Sequence, residues 1–212
     1  MRLLNGQAPS ELTAILGVLG RPRTELDELP QSTFEPIGYS GVWIDSVRLI
    51  AVTGMHELRV FLIPGVMRDP RRAKASRDAR SRPGVPLVAL DVYQSSGRVG
   101  PCAYTAGDLL AGRVVRAHPP AGTDEERLMY GVVPDGVSSV QVKAGDMPER
   151  TAKVKDNFFE ARMFTGGVFS EKVSTVTTEI RWIDESGQTL KTITRTERWV
   201  MLGQARLDLQ FD

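Results

Sequence analysis

Four aspartates sit on turn-like sequence in the second half of this chain: Asp135 in Pro134-Asp135-Gly136, Asp146, Asp156 in Asp156-Asn157, and Asp184 in Asp184-Glu185-Ser186-Gly187. Carboxylates gathered at one end of a sheet can do two kinds of chemistry. A pair spaced about 5–10 Å apart can serve glycoside hydrolysis, and a cluster of oxygens can bind calcium. Turn aspartates more often bond nearby backbone N–H groups. A hydrolase using Asp135, Asp156 and Asp184 is therefore kept as an alternative reading, and no residue is assigned a catalytic role.

The second concentration of chemistry is basic. Residues 68 to 82 hold Arg68, Arg71, Arg72, Lys74, Arg77, Arg80 and Arg82 against Asp69 and Asp78, a net +5 in a chain of net +1. Arginines supply charge-assisted bonds to phosphates or acidic polysaccharide. The run contains no aromatic residue on which a base could stack, so sequence-specific nucleic acid is not the expected partner. The plainer alternative is a solvated loop between two strands. These seven residues are the candidate contact for an anionic polymer or a protein partner.

Other reactive groups are sparse. His56 reads as a turn residue, and His118 lies before Asp124, Glu125 and Glu126 in a Pro-rich stretch, with nothing to fix them on one face. Cys102 reads as a small buried hydrophobe, and as the one cysteine it excludes an internal disulfide. There is no Gly-x-Ser-x-Gly elbow, Walker loop or dinucleotide fingerprint. No metal and no cofactor are expected. Trp43, Trp182 and Trp199 are candidates for a sugar platform, although Trp182 falls on the apolar face of a strand.

The elements that must position these groups follow from periodicity. Leu12, Ile15, Leu16 and Leu19 make one helical face, capped by Ser10 and stopped by Gly20 and Pro22. Thr24 and Asp27 have capping-box spacing, with Leu26 and Leu29 as the buried side of a second short helix. Residues 47–52 and 57–63 read as a hairpin closed by Pro64-Gly65, 86–93 as a strand, and Thr105 to Asp108 as a helix start. Strands at 126–133 and 137–143 flank Pro-Asp-Gly, and 151–155 and 158–163 flank Asp156-Asn157. Val176, Thr178, Ile180 and Trp182 alternate with polar residues, and 189–195 returns as a hairpin partner. The fold expected is mainly β, an antiparallel sandwich or barrel-like sheet with an N-terminal helical segment; α+β is the second choice. Residues 1–30 form the helical segment and 42–212 the β-rich domain, with a basic loop at 66–85.

At 212 residues the chain can bury a core unaided. Its longest helix-like apolar stretch, Leu12 to Leu19, falls far short of the ~20 residues a membrane helix needs. Gly6 to Ser10 interrupts the early apolar run, so it does not read as a leader. If Met1 is the native start, the location is cytoplasmic.

Several blocks carry a resemblance: Leu19-Gly-Arg-Pro-Arg-Thr24, Arg59-Val-Phe-Leu-Ile-Pro-Gly65, Tyr130-Gly-Val-Val-Pro-Asp-Gly-Val137, Lys155-Asp-Asn-Phe158 and Ile180-Arg-Trp-Ile-Asp184. With these the chain is similar to a group of uncharacterised actinobacterial proteins that are largely exported or membrane-anchored. The resemblance implies a place at or outside the cell surface and a Tyr130–Val142 hairpin supporting a loop. It carries no assigned activity, and the basic run is not part of the shared pattern. The leading expectation is a non-enzymatic binding module; a self-assembling subunit that pairs through exposed sheet edges is a further alternative.

Overall fold

The computed structural model describes residues 2–30, 39–53, 58–67, 84–94, 97–118, 126–164 and 174–199. It is strand-rich, with antiparallel pairing almost throughout, and no sheet closes into a barrel. The chain divides into two compact units. The first is Met1–Val114 with Val133–Asp135 and Asp156–Phe158; the second is Val115–Val132, Gly136–Lys155 and Phe159–Asp212.

The first unit contains β1 (Arg2–Leu4), α1 (Ser10–Thr13), β2 (Tyr39–Trp43), β3 (Arg48–Thr53), β4 (Leu58–Met67), β5 (Pro86–Gln94), β6 (Gly97–Tyr104) and α2 (Ala106–Ala111). Its sheet runs β1-β2-β4-β5-β6, with β3 also on β4. β2 and β3 share one edge of β4: Val42 faces Gly65 and Arg48 faces Leu62, with the 3-10 turn Ile44–Ser46 between them. Only β1 and β2 pair in parallel among the described ladders. One face of the sheet buries Phe61, Ile63, Leu87, Ala89 and Tyr93 with Tyr39, Val42 and Val47. Phe61 and Tyr93 meet edge to face at 5.6 Å, a favoured aromatic geometry.

The expected hairpin of β3 and β4 is present, but Pro64-Gly65 does not close it; β4 runs on to Met67. Gly65 explains why. A Cβ there would lie 2.4 Å from the Tyr39 ring and 2.6 Å from the Gly41 carbonyl. The glycine admits the neighbouring strand instead of ending its own.

The N-terminal helical segment forms, but in three short pieces. α1 is one turn with Pro9, not Ser10, at its N-cap. The 3-10 turns Gly17–Gly20 and Glu25–Asp27 follow. Leu12, Leu16 and Leu19 are buried as the period predicts. The helix stops early because its next backbone groups bond elsewhere: the Ile15 carbonyl accepts from Asp135 N–H, and the Gly17 and Val18 N–H groups donate to Asp135 and Asn157. The Thr24/Asp27 capping box is formed, yet Leu26 is 65% exposed and it is Asp27 that is buried.

The second unit holds seven strands: β7 (Val115–His118), β8 (Glu126–Val132), β9 (Ser139–Ala144), β10 (Arg150–Lys153), β11 (Phe158–Phe164), β12 (Ser174–Ile183) and β13 (Thr189–Trp199). They form two sheets, β11-β8-β7 and β10-β9-β12-β13. Lettered a to g in chain order, these read e-b-a and d-c-f-g. That is the constant-type immunoglobulin order with the fourth strand carried by the opposite sheet. The strands flanking Pro134-Asp135-Gly136 therefore do not pair with each other, nor do those flanking Asp156-Asn157. Each turn carries the chain from one sheet to the other, so the expected Tyr130–Val142 hairpin is not formed. β12 and β13 do form the expected hairpin, and Val176, Thr178, Ile180 and Trp182 share the buried face.

Candidate interaction site

The basic run lies outside the described residues, but its anchors do not. β4 and β5 pair along their length, up to Val66 opposite Pro86. Arg68, Arg71, Arg72, Lys74, Arg77, Arg80 and Arg82 thus belong to the connection between two adjacent antiparallel strands of the first unit's sheet.

The turn aspartates are spent on backbone. Asp135 accepts from the Gly17 N–H with both oxygens, at 3.0 and 2.9 Å, and its Oδ1 also takes the Asn157 side-chain amide at 2.8 Å. Asn157 in turn accepts from Val18 N–H and donates to the Val133 carbonyl. Asp156 is exposed, and both it and Asn157 have positive φ, 51° and 61°, a region that Asp and Asn tolerate better than most residues. Asp184 closes its own turn: Oδ1 accepts from Ser186 N–H, Ser186 Oγ and Gln188 N–H. The Ser186 hydroxyl and the Gln188 amide hold this exposed carboxyl below its ordinary value. Asp146 lies in the β9–β10 turn. Strand alternation sends the turns after β8, β10 and β12 to one end of the sandwich and the β9–β10 turn to the other. Among the described residues no group of three or more His, Cys, Asp or Glu could hold a metal ion. No helix among them is long and apolar enough to cross a membrane.

Two polar groups that the sequence did not single out are fully buried in the first unit. The Arg48 guanidinium donates to the carbonyls of Asp45, Val47, Leu19 and Arg21. Asp27 takes a two-point bond from Arg21 and accepts from the Thr24 and Leu49 N–H groups. Burial pushes the Asp27 carboxyl up, but the Arg21, Thr24 and Leu49 donors outweigh it and leave it below the ordinary value. Together they tie residues 19–27 to β3. The visible signal was an arginine at a strand start, which alternation alone does not mark as buried.

A further cluster lies on the second unit's inner face. Lys191, Ile193 and Arg195 of β13 are half-buried. The Lys191 ammonium stands 5.5 Å from the Trp182 ring centre, and Arg195 Nη1 donates to the Val115 carbonyl at 3.1 Å. Trp182 itself is 4% exposed, as its strand face predicts. Cys102 is half-buried on β6 opposite Leu90.

No family model matches this chain, nor does any curated protein or solved structure.

Proposed function

We propose that the chain is a non-catalytic binding module whose contact is the Arg68–Arg82 segment and whose partner is an anionic polymer or an acidic protein surface. The observation that carries this reading is the placement of the run: the strands at both its ends are laddered to each other up to Val66 and Pro86. Seven cations thereby emerge at one point of a rigid sheet, an arrangement that concentrates positive potential. The engagement of Asp135 and Asp184 by backbone donors supports a non-catalytic role over a carboxylate hydrolase. The resemblance described above adds a place at or outside the cell surface, which the mass of the mature chain from its source cells would test.

The direct experiment is binding to polyglutamate and to heparin across a salt series. Affinity should fall as salt rises, and reversing Arg71, Arg72, Arg77 and Arg80 to glutamate should abolish it. Unchanged binding after reversal would overturn the proposal.

A further inference from the structure

We propose that the outer edge of β13 docks an extended acidic strand, one with carboxylates four residues apart and an apolar residue midway. The site uses none of the residues of the basic segment.

Three cross-strand rows define it. Trp182 faces Lys191, Ile180 faces Ile193, and Thr178 faces Arg195. In each row the β12 residue is buried and the β13 residue half-buried. The middle row is apolar. Each outer row combines a cation with a buried polar atom that has no hydrogen-bond partner: Trp182 Nε1 in one, Thr178 Oγ1 in the other. An unpaired buried polar group costs about 1–3 kcal/mol, so each one calls for a physical reason. Here both fall on the two rows that carry cations.

The side chains are already drawn along this face, Lys191 by the Trp182 ring and Arg195 by the Val115 carbonyl. Rows four residues apart are separated by about 13 Å in a strand, whereas four residues of helix span about 6 Å. Only an extended ligand sets a carboxylate against each cation and an apolar side chain against Ile193.

The backbone supplies the rest. β13 ends its sheet, and among the described residues no strand pairs with its outer side. Edge strands turn alternate N–H and C=O groups outward, a template for an added strand. No proline or glycine interrupts residues 189 to 196. Main-chain bonds give the affinity, and Lys191 and Arg195 select acidic sequence.

The test uses the full chain and a capped seven-residue peptide of threonines with glutamate at its second and sixth positions and valine at its fourth. The peptide should bind and protect the amides of residues 189–196 from hydrogen exchange. Replacing both glutamates by glutamine should weaken binding by at least about tenfold, the loss of two charged contacts. Lys191→Glu with Arg195→Glu should abolish binding; if that pair unfolds, Lys191→Gln with Arg195→Gln should reproduce the weakening. Reversal of Arg71, Arg72, Arg77 and Arg80 should leave peptide binding intact, which separates this site from the basic segment. Absence of binding, equal affinity of the two peptides, or protection outside β13 would overturn the proposal. So would protection of β13 that rises with protein concentration when no peptide is present, because a second copy would then be the occupant.

Discussion

Asp135 holds the backbone N–H of Gly17 with both carboxylate oxygens, 118 residues away in sequence. The approach is close enough that a Cβ on Gly17 would lie 2.8 Å from Asp135 Oδ2. Asp135→Ala should therefore cost about 1–3 kcal/mol, the usual penalty for stranding such donors. Gly17→Ala should displace the same carboxylate. Urea denaturation of both single variants and the double variant should show the two losses to be less than additive.

Asn157 combines a conformation with a set of bonds, and two substitutions separate them. Asn157→Gly keeps the left-handed φ without strain but loses the bonds to Val18, Val133 and Asp135. Asn157→Ala loses the bonds and adds about 1–2 kcal/mol of backbone strain. Thermal melts should rank wild type above glycine and glycine above alanine. Equal melting of the two variants would show that φ is not held at 61°.

Arg48 is the largest fully buried side chain of the first unit. Arg48→Met should destabilise by about 3–5 kcal/mol, because several carbonyls lose a charged donor at once. Arg48→Lys should recover little, since a point ammonium does not reproduce a planar fork serving the Leu19, Arg21, Asp45 and Val47 carbonyls. Denaturant midpoints of the two variants test this directly.

Asp27 sets a pH dependence. Its folded carboxyl lies below the ordinary value, because the Arg21, Thr24 and Leu49 donors outweigh the opposing burial. The stability it contributes is therefore complete above the unfolded value of about 4 and is lost as pH falls through the lower folded value. Wild type should lose stability on acidification through that range more steeply than Asp27→Asn. Parallel stability–pH curves for the two proteins would contradict the assignment.

The sheet content was legible from alternation, and β5, the α2 capping box and the β12–β13 hairpin fall where residue pattern predicts them. Pairing was less legible. Pro134-Asp135-Gly136 and Asp156-Asn157 have the chemistry of hairpin turns, but turn chemistry is local, and whether the next strand lies beside the last or in the facing sheet is decided by which faces bury together. The Leu12–Leu19 period predicted burial correctly and helix length wrongly, because tertiary acceptors took the Gly17 and Val18 N–H groups. Lys191 and Arg195 read as the polar half of an alternating strand. Only the cross-strand register sets them against the unpaired atoms of Trp182 and Thr178.

The bonds from Asp135 and Asn157 to residues 15–18 also fix an order of events during synthesis. The first unit begins at the N-terminus, yet it includes Val133–Asp135 and Asp156–Phe158. Its β-ladders can form as soon as β6 has emerged, but the Ile15 carbonyl and the Gly17 and Val18 N–H groups must wait for residue 157. On a ribosome adding about 5–20 residues per second, the nascent sheet therefore spends several seconds with its N-terminal segment unlatched. A chain cut after Val114 should keep the sheet and remain permanently in that open state.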